Sequence, residues 1–359
     1  LAEVNHQSLV ATKTARIVKA AEGKAVSDFG ARRAHNMDAA VYGARASYIG
    51  GAAGTATVLA GQMFGIPVSG TMAHSWVMYY KDEYEAFRHY AENYPDNTVL
   101  LVDTYDTIKS GIPNAIRVAR EVLEPMGKRL KGIRIDSGDL AYQSIKVRKM
   151  LDDAGLTDCK IIVSNSLDEH TISSLNMQKA RIDGYGVGER LITGASSDYS
   201  EDSISLLGAV YKIAAVEENG GFAPRIKVSG SVEKITNPGL KKVYRVYDQN
   251  GKAKADLIAK ADETIDMSQE FRFVDPDMPW RNLKFTHCTV RPLQEKIFEN
   301  GKLVYKLPTL NEIRAYVKKQ LDEEIWEEEQ RFVNPHKHYM DMTPDYYDMK
   351  MSLLNDSRM

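Results

Sequence analysis

Only two cysteines, Cys159 and Cys288, occur in 359 residues. That excludes a disulfide framework or a cysteine-built metal cluster, and it fits a reducing, cytoplasmic setting. Charge of either sign is also not in excess: 47 Lys and Arg stand against 49 Asp and Glu, a formal net charge of −2. Such a balance gives no polyelectrolyte reason to expect a nucleic-acid partner, though a local anion site is unaffected. Long apolar runs are missing as well, and no basic-then-apolar stretch resembles a signal segment, so no membrane partner is expected. Internal repeats and low-complexity tracts are absent. What is present is ample core material: 43% apolar and 27% charged residues, enough for one large domain or two ordinary ones.

Apolar spacing predicts a helix over 6–21, with Leu9, Val10, Ile17 and Val18 set among Lys13, Arg16 and Lys19 and a stop at Gly23. Short β-branched runs follow at Ile66–Val68, Thr98–Val102, Gly132–Ile135, Lys160–Val163 and Ile182–Val187. Helical stretches separate them, at 77–91, 110–124, 140–154 and 168–178. This alternation is that of parallel strands with crossover helices, in an open sheet or a closed barrel. Beyond about residue 215 the pattern changes to short strands punctuated by Pro224, Pro238 and Gly239. Lys241–Lys260 reads as a hairpin turning at Asp248-Gln249-Asn250-Gly251, and helix returns at 311–330, so a second domain is expected there.

Asp103, Asp136 and Asn165 each follow a strand-like run, where barrels and open sheets alike gather their sites. Arg134-Ile135-Asp136-Ser137-Gly138-Asp139 brings a cation and two carboxylates to one loop. Arg134 can neutralise a phosphate or carboxylate, and Asp136 or Asp139 can hold Mg2+. Asp103 and Asp106 offer the same chemistry, while helix capping and surface pairing compete with it at Asp106 and Asp139. Gly184-Tyr185-Gly186-Val187-Gly188 follows a strand and can cradle phosphate with its backbone, or be a tight turn. Gly50-Gly51-Ala52-Ala53-Gly54 lacks the ending of a phosphate loop and reads as close packing. Arg32 and Arg33 form a further cationic site or a solvated patch. His74 has no triad partner at any recognisable spacing.

Taken in order, several segments resemble the nicotinate phosphoribosyltransferase family. They are Asn5–Lys13, Phe29–Ala34, Gly70–His74, Leu101–Thr107, Arg134–Leu140, Ser164–Leu167, Gly186–Leu191 and Ile235–Gly239. The resemblance implies an irregular phosphoribosyltransferase-type α/β barrel over 25–215 with a second α+β domain, made of 216–359 and the helix-bearing segment 1–24. It also implies a chain lacking its N-terminal part before Leu1, which would lend an aromatic base-binding residue to a neighbouring subunit of a homodimer with shared active sites. The implied reaction joins nicotinate to phosphoribosyl pyrophosphate, giving nicotinate mononucleotide and pyrophosphate in NAD biosynthesis. ATP is the implied co-substrate and His74 the position of the phosphohistidine. Further implied roles are Arg134 and Asp136 at the reacting centre, Asp136 and Asp103 toward Mg2+, and Gly186 and Gly188 on the 5-phosphate. Arg32, Arg33, Thr71, Asp103 and Asn165 would also contact substrate. Glu189 stands where relatives carry threonine and is expected to pair with Arg190. Nicotinamide phosphoribosyltransferase is the nearest alternative, quinolinate phosphoribosyltransferase a less fitting one. A non-catalytic metabolite-binding barrel is the alternative of another class.

Overall fold

The computed structural model describes residues 1–195, 208–268 and 270–356, so residues 196–207 of the expected barrel span lie outside the described residues. Contacts divide the chain into two compact units, Leu1–Ala209 and Val210–Met359.

The first unit opens with helix α1 (Ala2–Ala20), which buries Leu9, Val10, Lys13, Thr14 and Ile17 along one face. It packs on α2 (Met37–Ile49), α8 (Glu169–Met177) and α9 (Glu189–Thr193) within the same unit. The strands are β1 (Ala25–Asp28), β2 (Gly54–Thr55), β3 (Val99–Leu101), β4 (Gly132–Ile135), β5 (Lys160–Val163) and β6 (Gly184–Val187). They pair in the order β2-β1-β6-β5-β4-β3, every ladder parallel. A parallel bridge from Thr55 to Val68 extends the β2 edge. Leu100, Leu101, Ile133, Ile135, Ile161 and Val163 are buried in the strands, the near-continuous apolar reading of a sheet covered on both faces. The result is an irregular α/β barrel whose sheet curls without its edge strands pairing.

Crossover helices begin where side chains cap them. Asp82 accepts from Glu85 N at 2.8 Å to start α5 (Glu83–Asn93), so the helix expected over 77–91 is interrupted after α4 (His74–Tyr79). Asp106 accepts from Ile108 N and Lys109 N, and Asp139 from Tyr142 N at the head of α7 (Leu140–Asp153). Both are caps. The helix expected at 110–124 runs through two π-helical stretches, Thr107–Gly111 and Ala119–Leu123, that flank α6 (Ile112–Val118). α3 (Val58–Phe64) completes this set. At the Gly-rich segment, a methyl on Gly50 would stand 2.4 Å from Ala11 O, so Gly50 lets α2 close on α1.

The second unit carries a mixed sheet whose strands pair in the order β12 (Asn282–Phe285), β11 (Phe271–Val274), β16 (Met340–Met342), β10 (Ala253–Lys260), β9 (Lys241–Tyr247) and β13 (Thr289–Pro292). Within it β9 (Lys241–Tyr247) and β10 (Ala253–Lys260) form the expected hairpin, whose turn is tied by Asp248 Oδ1 accepting from Asn250 N and Lys252 N. Arg245 and Asp256 face each other across it in a two-point ion pair of 2.8 and 3.0 Å. Tyr244, Val246, Leu257, Phe273 and Phe285 form its core. The expected helix at 311–330 is Leu310–Lys319 continued by a π-helical Gln320–Glu324.

One buried pair in this sheet is unusual. Val274 of β11 (Phe271–Val274) lies opposite Met342 of β16 (Met340–Met342) in an antiparallel ladder, which sets Asp275 beside Asp341. Both are buried, and neither Asp341 oxygen nor Asp275 Oδ2 has a hydrogen-bond partner among the described residues. Burial, then the Asp275 charge, pushes the Asp341 carboxyl up to about 6, against the pull of Arg281, Lys337 and His338.

Candidate functional site

Strand alternation sets the first pair of groups. Arg134 and Asp136 are two apart at the end of β4, so their side chains leave the sheet on one face. Arg134 Nη1 donates to Thr71 Oγ1 and Nη2 to Asp136 Oδ2 at 3.3 Å. Its guanidinium carbon stands 5.6 Å from the centre of the Phe29 ring. With only 13% of the side chain exposed, the cation is held in one orientation rather than solvated.

Asp136 is fixed from the other side by the Ser164 hydroxyl, which donates to Oδ1. Asp103, just beyond β3, is enclosed more completely. Its Oδ2 accepts from Asp136 N at 2.9 Å and Ser137 Oγ at 2.6 Å, and its Oδ1 lies 3.2 Å from His74 Nε2. A carboxylate only accepts, so Nε2 carries the proton in this contact, and in the neutral ring the lone pair is then on Nδ1. The partner that spacing could not reveal for His74 is thus Asp103. His74 sits on the chain that leaves the Val68 edge, Asp103 at the opposite edge strand. Thr71 reaches Arg134 in the same direction. Side chains therefore join the two sheet edges that backbone pairing leaves apart.

These groups open on a cavity of about 590 Å3. Arg32, Arg33, Thr71, His74, Arg134 and Asp136 line it, and so do Asn165, Gly186 and Gly188. Asp103 stands behind the wall, and the candidates Asp106 and Asp139, used as helix caps, do not line the cavity. The strand ends are strained: Asn165 and Ser166 follow β5 with φ of 95° and 49°, a region that costs a non-glycine residue energy and is favoured at functional positions. A methyl on Gly186 would come within 2.4 Å of the Phe29 ring, so glycine there is required for Phe29 to reach the cavity wall.

Glu189 does not pair with Arg190. It stands 3.4 Å from Arg33, while Arg190 Nη1 donates to the buried Asp168 at 2.6 Å, because α9 turns the two neighbours to different sides. Phe29, Ser164 and Arg190 stand in recognised segments without a site role assigned to them there, and an Asp at a helix start reads as a cap, which Asp168 also is. Asp28 likewise had no site role assigned: wholly buried at the end of β1, it accepts from Gly30 N at 2.8 Å and Thr55 Oγ1 at 2.7 Å. Burial pushes its carboxyl up, and those two hydrogen bonds oppose the shift.

No group of three or more His, Cys, Asp or Glu side chains is arranged for a metal among the described residues. Asp136 keeps 23% exposure on the cavity wall, and its Oδ2 has only the 3.3 Å contact with Arg134. One open carboxylate fits Mg2+ delivered with phosphate oxygens and water, a cation that seldom needs an all-protein cage. Asp103, saturated by protein donors and 1% exposed, fits the orienting of His74 better.

Sequence and structure comparisons are consistent with this arrangement. The pattern of the nicotinate phosphoribosyltransferase (NAPRTase) family matches residues 24–262, and that of the nicotinate phosphoribosyltransferase C-terminal domain matches residues 240–350. The Bacillus subtilis nicotinate phosphoribosyltransferase is 48% identical over 356 residues, covering 98% of this chain and 70% of its own. A crystal structure of human nicotinic acid phosphoribosyltransferase superposes with a TM-score of 0.80 at 27% identity, covering 97% of this chain and 74% of that one. One of nicotinate-nucleotide pyrophosphorylase from Pyrococcus furiosus gives 0.62 at 28% identity, covering 89% and 71%.

Proposed function

Because the chain belongs to the nicotinate phosphoribosyltransferase family, we propose that it transfers a 5-phosphoribosyl group from phosphoribosyl pyrophosphate to nicotinate, releasing pyrophosphate, in NAD biosynthesis. The observation that carries this reading is the convergence on one cavity of a fixed guanidinium, a partly open carboxylate and an oriented imidazole. Arg134, held by Thr71 and Asp136 beside the Phe29 ring, suits a flat anionic base: the ring offers a face and the guanidinium meets the carboxylate. The pyridine nitrogen then attacks C1 of the ribosyl unit while pyrophosphate leaves. Arg32 and Arg33 meet the leaving charge, and Asn165 and Asp136 orient the ribose. Gly186 and Gly188 lie along the 5-phosphate. Mg2+, held by Asp136 with Asp103 behind it, would supply charge neutralisation on the pyrophosphate.

The same reading couples the reaction to ATP through His74. With Nε2 donated to Asp103, Nδ1 is the nucleophile that accepts the γ-phosphoryl group, ADP departing. The negative charge so placed beside Arg134 and Asp136 changes how tightly the cavity holds the diphosphate. His74 is thus a phosphoryl acceptor and does not attack the sugar. We also propose a cytoplasmic homodimer with shared sites, and the domain plan 1–24, 25–215 and 216–359 for the family polypeptide.

The test is release of pyrophosphate by the protein from phosphoribosyl pyrophosphate and Mg2+. Nicotinate is compared with nicotinamide, with and without ATP, in the parent and in His74→Ala. Nicotinate-dependent release raised by ATP, with acid-labile phosphohistidine lost in His74→Ala, is expected. Preference for nicotinamide overturns the substrate. Binding of the substrates without any release makes the barrel a metabolite-binding module. ATP stimulation that survives His74→Ala removes the phosphohistidine.

A further inference from the structure

Behind the glycine segment of β6 lies a charge network that the proposed reaction leaves unused. Arg190, in the first turn of α9, lines the cavity, and its Nη1 donates to Asp168 Oδ2 at 2.6 Å. The Asp168 side chain is wholly buried, and its Oδ1 accepts from Thr171 N at 2.8 Å as the cap of α8. The next residue, Glu169, is buried and binds Lys13 at 2.7 Å and Arg16 at 2.8 Å, both from α1. Lys13 also lies close enough to Asp168 to act on its charge.

Lys13, Arg16 and Arg190 surround the buried carboxylates of Asp168 and Glu169. Lys13 and Arg16 are engaged with Glu169. Arg190 is the member with an outlet: one of its five donors is spent on Asp168, and Nε and Nη2 have no partner among the described residues. Glu189, next in the chain, is directed to Arg33 and does not neutralise it.

Strand order gives the position of this cation relative to Arg134. Arg134 ends β4 and Arg190 follows β6, with β5 between them. At the usual spacing of neighbouring strands the two guanidinium-bearing strands are about 10 Å apart. In the nucleotide product the base carboxylate, met by Arg134, and the 5-phosphate lie on opposite sides of the ribose, a separation of that order.

We infer that Arg190 is a direct ligand of the 5-phosphate and that Asp168 is the residue that positions it. This rests on the phosphoribosyl reading of the cavity and adds two residues to it. Asp168 removes the swing of a long side chain by anchoring one nitrogen, and it leaves the rest of the planar fork for a tetrahedral dianion beside Gly186 and Gly188.

The test titrates the chain with ribose 5-phosphate and with ribose, in the parent, Arg190→Ala, Arg190→Lys, Asp168→Asn and the double variant Asp168→Asn/Arg190→Ala. Arg190→Ala is expected to raise Kd for ribose 5-phosphate about 10–100-fold, the size of a lost charge-assisted contact, with ribose unaffected. Asp168→Asn keeps a capping oxygen. It should weaken ribose 5-phosphate several-fold in the parent and not at all in Arg190→Ala, a dependence that a purely structural Asp168 would not show. In turnover, Arg190→Ala and Asp168→Asn each raise KM for phosphoribosyl pyrophosphate while kcat stays within about twofold, the mark of uniform binding. If Asp168→Asn does not fold, Arg190→Lys carries the test, since it keeps the charge and loses the fork, and its Kd should fall between parent and Arg190→Ala. Parent and Arg190→Ala binding ribose 5-phosphate equally overturns the assignment and leaves the reaction reading standing. A parent that does not distinguish ribose 5-phosphate from ribose overturns both.

Discussion

Replacing Asp341 with asparagine should make the second unit more stable at neutral pH. The folded-state carboxyl titrates near 6, against 3.8 for the ordinary group, because it is buried opposite Asp275 with no hydrogen-bond donor. A raised carboxyl pKa means the folded state binds more protons than the unfolded one between those values. Stability is therefore greatest below about pH 4, declines as pH rises to about 6, and above that carries the full penalty. A displacement of about two units corresponds to at most about 3 kcal/mol, and the nearby Arg281 and Lys337 argue for a working figure of about 1–3 kcal/mol. Asparagine removes the charge and can donate its amide to Asp275 Oδ2, which has Arg281 at 3.9 Å but no hydrogen-bond donor. Thermal melts of parent and Asp341→Asn at pH 4 and pH 7.5 read this out. The expected gain is about 2–10 °C in the second unit's transition at pH 7.5, shrinking toward zero at pH 4. A variant no more stable at pH 7.5, or a gain that does not change with pH, would refute the reasoning.

Glu169→Gln should cost about 3–5 kcal/mol in urea unfolding, because Lys13 and Arg16 then lose their buried counter-charge; a loss under about 1 kcal/mol would show that water enters the network. Gly186→Ala sets a methyl against the Phe29 ring and should cost about 1–3 kcal/mol, with Phe29→Leu in the same chain restoring part of it; an unshifted melting curve contradicts the close approach. Asp103→Asn should lower ATP-dependent phosphorylation of His74 by about 100-fold or more, since an amide no longer specifies which ring nitrogen carries the proton. Phosphorylation within about twofold of the parent would mean that Asp103 does not set the tautomer.

Much of the first unit was legible in the sequence because its strands are buried on both faces. Gly132–Ile135 and Lys160–Val163 form at the expected residues, since runs of β-branched side chains suit a sheet covered by helices. β1 was not legible: Ala25-Val26-Ser27-Asp28 is short and half polar, and the sheet neighbours β2 and β6 make it a strand. The helix expected over 77–91 fails for a local reason that apolar spacing ignores, the capping of a new helix by Asp82. At the site, the placing of Arg134 and Asp136 on the cavity wall was legible, because a cation and a carboxylate at a strand end have few structural uses. Asp168 could not, because its cap satisfies every local expectation, and its second oxygen meets a residue 22 positions away.

The joining of the two sheet edges by His74 and Asp103, backed by the bond from Thr71 to Arg134 on the strand beside that edge, has a thermodynamic consequence. On the proposed function, opening of the barrel wall and occupancy of the cavity would not be independent degrees of freedom, because the groups proposed to grip a ligand are those that hold the wall shut. A ligand that engages Arg134 should slow amide exchange at Val99–Leu101, a strand it need not touch. A phosphoryl group on His74, by altering its grip on Asp103, should change exchange at the same amides. The slow breathing of one strand thereby becomes a gauge of the chemical state of a histidine on the opposite edge.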